Sequence, residues 1–242
     1  MTRRPGIGAL VFAWTGAALF LLSLLVFVFL YLYGIVFRPA PDGSAPLPAA
    51  VADIALFSVF ALHHSLFARA RVKRAVTRIL PSCLERSAFT WMASLLFLIV
   101  CLAWQPVDGT VYALRGGLRV IGFAVQAAGV TLTLAGSSAI DILNLAGVRP
   151  VLLARSGRTW AHASLKVDGV YGVVRHPLYF GWALFVFGAP DMNATRLLFA
   201  IVSTAYLAVA IPFEERSLVD AFGDRYRDYQ RTTKWRLVPG IW

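Results

Sequence analysis

The stretch YGVVRHPLYFGW, Tyr171 to Trp182, sets a cation and an imidazole, Arg175 and His176, directly before Pro177 and an aromatic apolar run. Proline is favoured in the first turn of a helix, where its missing N–H would have had no intrahelical partner. The pattern predicts a helix that starts at Pro177, with Arg175 and His176 at its mouth. Such a mouth presents unpaired N–H groups and the positive end of the helix dipole, which suit a carboxylate or a phosphate. Arg175 would add a full charge; alternatively it reaches for lipid headgroups while His176 caps the helix. Further on, PFEERSLVDAFGDRYRDYQ carries Glu214 and Glu215, two of the three Glu in the chain, at the expected end of an apolar helix. If 177–190 and 195–213 are antiparallel arms about 8–10 Å apart, Glu214 returns to the face where His176 begins. An Arg, a His and two carboxylates then surround one pocket. An Arg175–Glu ion pair closing the hairpin is the structural alternative.

Upstream, Gly169 and Gly172 in VDGVYGVV permit close backbone approach, and Tyr171 adds a ring. Leu218, Phe222, Tyr226 and Tyr229 recur at helical spacing, interrupted by Gly223, and read as an interfacial amphipathic helix with an aromatic belt. A ligand matching the pocket carries an anionic end for Arg175 and the helix mouth, and a cationic group for Glu214 or Glu215. It also offers a flat or soft cationic part to Tyr171 and Tyr179. S-adenosylmethionine has all of these; a nicotinamide dinucleotide also brings anions and flat rings. No GxGxxG βαβ unit exists to hold either in a Rossmann domain. His63 and His64 fall inside an apolar run, where ionisable residues are functional candidates. His64 either packs with a bond to a carbonyl or Ser65, or lines a substrate pocket and helps deprotonate a thiol. The four histidines, His63, His64, His162 and His176, are too few for a membrane di-iron site, and no metal is expected. Asp53 is expected at the membrane interface; Asp141 and Asn144 follow the fourth apolar run, with the pocket mouth as one alternative.

These residues must be positioned by membrane helices. The chain has 242 residues, 59% apolar and only 14% charged, against about 25% charged in an ordinary soluble domain, and its mean hydropathy is +0.70. Apolar runs at 8–37, 49–68, 88–105, 118–140, 177–190 and 195–213 predict an all-α integral membrane protein of about six transmembrane segments, the last two a C-terminal hairpin. The first run exceeds a signal-peptide core and reads as a retained helix. Most of the 23 Lys and Arg fall before the first run and in 69–87, 141–175 and 214–242. The positive-inside rule then places both termini in the cytoplasm. The net charge of +11 suits anionic headgroups and needs no nucleic acid. Residues 38–50 form a Pro-rich outer loop, and 69–87 an amphipathic surface helix up to Pro81. Cys83 and Cys101 have no zinc or disulfide spacing. A single membrane domain over 1–242 is expected, with 1–145 a four-helix part and 146–242 the cofactor-binding hairpin and cytoplasmic tail.

GVYGVVRHPLYFGW followed by EERSLVDAFGDRYRDYQ resembles the integral-membrane methyltransferases of the isoprenylcysteine carboxyl methyltransferase and phospholipid methyltransferase superfamily. Their pattern is G-x-Y-x-x-x-R-H-P-x-Y-x-G, then E-E-x-x-L-x-x-x-F-G-x-x-Y-x-x-Y; every named residue is present, within about 160–235. The resemblance implies S-adenosylmethionine as methyl donor, held by Tyr171, His176, Pro177, Leu178, Tyr179 and Glu214 with Glu215 in support; Gly169 and Arg175 join them from the reading of the pocket. The first half, with His64-Ser65, Ala68-Arg69 and Glu85-Arg86-Ser87 as anchors, looks like the bacterial methanethiol S-methyltransferases and NnrU-like membrane proteins. Ala210 stands where prenylcysteine enzymes carry a substrate-binding Arg, and Tyr179-Phe180 where methanethiol enzymes carry Met and an aliphatic residue. The resemblance implies methyl transfer to a small thiol or lipophilic acceptor, at a cytoplasm-facing site in the bacterial inner membrane, with lipid as neighbour and no obligate protein partner. The alternatives are carboxyl or phospholipid methylation, an NADPH-dependent membrane reductase, and a non-enzymatic NnrU-like protein.

Overall fold

The computed structural model describes residues 4–34, 36–41, 46–137, 141–158 and 164–242. His162, the first three residues and positions 42–45 of the Pro-rich loop lie outside them. In chain order the elements are α1 (Ile7–Tyr33), α2 (Pro46–Phe67), α3 (Ala70–Val76), a 3₁₀ turn (Ser82–Leu84), α4 (Glu85–Ala103), β1 (Thr110–Ala113) and α5 (Gly116–Ser137). There follow α6 (Ile142–Leu145), α7 (Val148–Ser156), a second 3₁₀ turn (Gly169–Gly172), α8 (Pro177–Phe187), β2 (Asp191–Asn193), α9 (Ala194–Phe222) and α10 (Asp224–Thr232). Among the described residues five helices, α1, α2, α4 with its preceding turn, α5 and α9, are long and apolar enough to cross a membrane. The protein is an all-α integral membrane protein with one short pair of strands. The apolar α8 has 11 residues, about 16 Å of helix at 1.5 Å per residue, the short arm of the hairpin.

Two expectations are corrected. The sixth apolar run does not end at 213: α9 is a 29-residue helix that carries Pro212 and both Glu214 and Glu215, and stops at Gly223 with φ 58°. The change from apolar to charged residues alters its surroundings, not its backbone; at about 44 Å it outruns a hydrocarbon core of about 30 Å. The basic helix after α2 ends at Val76, short of Pro81. Asp53 is buried in the protein, 1% exposed, with Oδ1 accepting from Gln105 N at 2.8 Å.

The chain folds as two compact units. The first holds α1 to α4, α6 and α7. Here α1 packs on α4 through side chains. Gly16 forms a notch for Trp91: a Cβ at Gly16 would lie 2.7 Å from Trp91 Cδ1. The Trp91 indole donates to Phe12 O at 2.9 Å. Phe27 gathers Tyr31, Phe37 and Phe97 around it. The short α6 and α7 are tied to α4 by Ser87 Oγ, which donates to Gly147 O at 2.7 Å, and by Thr90 Oγ1, which donates to Leu145 O.

The second unit holds β1, α5, α8, β2, α9 and α10. Its main seam, α5 against α8, is built from glycine. Gly122, Gly129 and Gly136 recur every seven residues on α5, about two turns apart and so on one face. Gly181 on α8 and Gly188, the residue that caps its end, are likewise seven apart. A Cβ at Gly129 would fall 2.6 Å from Gly181 O and 2.7 Å from Phe185 N, so the two backbones touch, as small residues allow between membrane helices. Gln126 Nε2, buried in the seam, donates to Phe185 O at 3.1 Å. The turn after α8 contains β2, which pairs antiparallel with β1, Thr110 opposite Asn193 and Ala113 opposite Asp191. Asn193 then caps α9, its Oδ1 accepting from Arg196 N at 2.8 Å.

Candidate functional site

Pro177 begins α8, as its neighbours predict, and His176 is the cap residue. His176 caps with its backbone, not its ring: its carbonyl accepts from Tyr179 N and Phe180 N, both at 3.1 Å. The ring lies parallel to that of Tyr179, with centroids 5.4 Å apart and planes 7° from parallel. The Tyr179 hydroxyl donates to Glu214 Oε2 at 2.6 Å, and His176 Nδ1 lies 3.7 Å from the same oxygen. Trp182 Nε1 donates to Ser203 Oγ at 3.0 Å. So α8 and α9 do pair as a hairpin, and Glu214 does return to His176. Its side chain is 43% exposed, and among the described residues Tyr179 is its one hydrogen-bond donor.

Glu215, one residue on, lies on the buried side of α9 at 4% exposure. Arg175 Nε donates to its Oε1 at 2.7 Å, Gln230 Nε2 to Oε2 at 3.2 Å, and Arg236 Nε lies 3.3 Å from Oε2. His176 Nε2 is 3.4 Å from Oε1 but is buried without a hydrogen bond. Arg175 does not face open space. Its Nη1 donates to Thr233 O at 2.7 Å and Lys234 O at 3.0 Å. The ion pair that closes the hairpin is thus formed.

The segment after α10 runs beside the entry to α8, with Arg175 N donating to Trp235 O and His176 N to Arg236 O, both at 2.9 Å. Gln230, Thr233 and Arg236 are members of the site that the sequence reading missed. Gln230 had one signal, lying four residues after Tyr226 on the same face of α10. Tyr226 and Tyr229 form no interfacial belt: both are buried, 1% and 5% exposed. Tyr229 OH donates to Tyr171 O at 2.6 Å, and Tyr171 OH to Gly136 O at 3.0 Å. Burial, and then the charge of Glu214, push the Tyr171 phenol above its ordinary pKa. Leu178 packs on Gly136, where a Cβ would lie 2.8 Å from Leu178 Cδ1. Gly169 is exposed, with φ 59° and nothing near its missing side chain.

The second unit therefore brings together Tyr171, Arg175, His176, Pro177, Leu178, Tyr179, Glu214 and Glu215. His64 belongs to the first unit, on α2, beside the rings of Phe60 and Phe89 with centroids 5.7 and 5.3 Å away. Asp141, also there, caps α6 by accepting from Asn144 N and pairs with Arg149 Nε at 2.7 Å. That hydrogen bond from Arg149 is the main cause of a pKa below the ordinary carboxylate value.

Comparison with known proteins finds close relatives in sequence. Methanethiol S-methyltransferase 2 of Bradyrhizobium diazoefficiens is 35% identical over 80% of this chain and 74% of its own. Methanethiol S-methyltransferase of Mycobacterium tuberculosis is 36% identical over 80% of each. A more distant likeness, 32% over 39% of this chain and 44% of the other, is to protein-S-isoprenylcysteine O-methyltransferase of Dictyostelium discoideum. No protein-family model and no solved structure matches the chain.

Proposed function

We propose, for a chain that belongs to the methanethiol S-methyltransferase family and is an integral-membrane methyltransferase, that its donor is S-adenosylmethionine and its acceptor a small thiol. The observation that carries the donor is the division of labour between two adjacent carboxylates. Glu215 is buried and taken up by Arg175, Gln230 and Arg236. Glu214 is exposed and accepts from Tyr179 alone among the described residues. A half-exposed, oriented carboxylate suits an ammonium or a ribose hydroxyl, and the N-terminus of α8 beside it suits a carboxylate. A dinucleotide diphosphate would need unpaired cations, and Arg175 and Arg236 both face Glu215. The residues fit S-adenosylmethionine, which Gly169, Tyr171, His176, Pro177, Leu178, Tyr179 and Glu214 would hold, with Arg175 and Glu215 behind them. When bound, the donor supplies a methyl group activated by its sulfonium. The chain's part is positioning and exclusion of water, in keeping with a site that holds no nucleophile triad among the described residues.

For the acceptor, the relatives' names support a thiol, and Ala210 leaves no cation at the position where prenylcysteine enzymes hold a carboxylate. An unpaired buried carboxylate costs several kcal/mol, whereas a thiol brings no charge until it loses its proton. We assign His64 to taking that proton, since a neutral imidazole nitrogen can accept one; His64→Gln should lower thiol methylation with donor affinity unchanged.

The test is incubation of the purified, detergent-solubilised protein with labelled S-adenosylmethionine and, separately, methanethiol, a farnesylcysteine analogue and phosphatidylethanolamine. Label in the thioether from methanethiol is expected. Label in the methyl ester alone would overturn the thiol reading. His176→Ala and Glu214→Ala should each weaken donor binding by about 1–3 kcal/mol, the cost of stranding a partner in a partly desolvated pocket. We place both termini and the site on the cytoplasmic side of a bacterial inner membrane, on the distribution of Lys and Arg. Cysteine labelling near Thr77 from the periplasm would refute that placement, and labelling near Ala113 from the periplasm would support it.

A further inference from the structure

Glu215 is held from two directions. Arg175 reaches it from the segment before α8, and Gln230 and Arg236 reach it from α10 and the segment beyond. A buried carboxylate needs its lone pairs satisfied, and a network that does so rigidifies its members. The same C-terminal segment accepts from the backbone N–H groups of Arg175 and His176 through the carbonyls of Trp235 and Arg236. A path of contacts therefore leads from Arg236 through Glu215 and the His176 backbone to the His176 ring. It continues to the Tyr179 ring stacked on it and to Glu214, which accepts from Tyr179.

We propose that Arg236 and Gln230 are positioning residues for the methyl-donor site: they hold Glu215, and through it and the paired backbone they set His176, Tyr179 and Glu214. The inference rests on the reading of His176, Tyr179 and Glu214 as that site. Neither Arg236 nor Gln230 is required to touch the donor. The Arg236 side chain is 36% exposed, where an ion pair adds little to global stability, so its loss acts on the geometry of the site more than on the fold. Lysine keeps the charge but lacks the Nε–H that lies 3.3 Å from Glu215 Oε2.

The experiment measures donor Kd by calorimetry, donor and acceptor KM, and thermal unfolding on the full chain in detergent, with S-adenosylmethionine as the probe. For Arg236→Met we expect donor Kd and KM to rise about 10-fold, with acceptor KM and the unfolding midpoint close to wild type. Arg236→Lys should recover part of the loss, and Gln230→Leu should show a smaller rise of the same kind. In a Glu215→Gln background, Arg236→Met should add less than it does alone. Wild-type donor Kd and KM in Arg236→Met would overturn the proposal, as would full additivity with Glu215→Gln, or lost activity that only tracks a lowered midpoint. If Arg236→Met does not fold, Arg236→Lys and Gln230→Leu carry the same test. Unchanged donor binding in the Arg236 variants beside lost binding in Glu214→Gln sinks this inference alone; no donor binding by the wild type sinks the donor-site reading and this inference with it.

Discussion

α1 meets α4 through side chains, and α5 meets α8 through backbone. In the first pair a large ring enters a notch: Trp91 lies over Gly16 and donates to Phe12 O. In the second, Gly129 and Gly181 bring main chain against main chain, with the carbonyls and amides of one helix in contact with the other. A side chain can rotate or tilt to relieve a clash; a helix backbone cannot without moving the helix. The seam that cannot give is the one that ends at the site. Gly136 is its last glycine, and it receives both the Leu178 side chain and the Tyr171 hydroxyl. Rigid seating of α8 fixes the cap residue His176, and so the groups a donor would meet.

The comparison can be broken most directly at Gly129. Gly129→Ala sets a Cβ against Gly181 O and Phe185 N, and we expect about 3 kcal/mol of destabilisation, the upper range for overpacking, read as a lowered thermal midpoint in detergent. A wild-type midpoint would show that the two backbones are free to part. Gly16→Ala meets Trp91 ring atoms instead, which can shift; about 1 kcal/mol is expected in the same assay, and a cost equal to that of Gly129→Ala would erase the distinction. Gln126→Leu removes the buried side-chain bond to Phe185 O, and about 0.6 kcal/mol is expected for a bond between membrane helices. A larger loss would mean that the seam depends on polar contact as well as on glycine.

The smallest effect is expected in the first unit, at Asp141→Asn, about 0.5 kcal/mol for a partly exposed ion pair. It also has a pH signature. The Arg149 hydrogen bond lowers the Asp141 pKa in the folded state. The stabilisation is therefore fully present above the unfolded value and is lost as pH falls through the lower folded one. The difference in midpoint between wild type and variant should stay constant from neutral pH down to about 4 and shrink only below that. A difference that fades between pH 7 and 5 would point to another group.

Local patterns carried much of this. Pro177 marked the start of α8 because its ring and missing N–H act within one turn. The cap of α9 is equally local, the Asn193 side chain reaching a backbone N–H three residues on. The antiparallel return of Glu214 to His176 followed from two apolar arms and a turn. The ion pair of Arg175 with a Glu was one of two readings open in the sequence, but its other contacts were not legible. Its carbonyl partners Thr233 and Lys234 lie 58 and 59 residues away, and no spacing rule connects them. Nor was the end of α9: helix hydrogen bonds join residues four apart and do not register the change from apolar to charged at Phe213, so composition ended the helix too early.

The sequence by itself determined that the protein lives in a membrane, where its α8 begins, and which motif residues form the candidate site. Those properties depend on total apolar content and on interactions within a turn or two. Only the tertiary structure decided which of two adjacent carboxylates is available to a ligand. On a helix, neighbours are turned about 100° from each other, so Glu214 and Glu215 must face different surroundings. Which surrounding is solvent and which is Arg175, Gln230 and Arg236 is set by the packing of α10 and the segment after it, a long-range arrangement that no local pattern encodes.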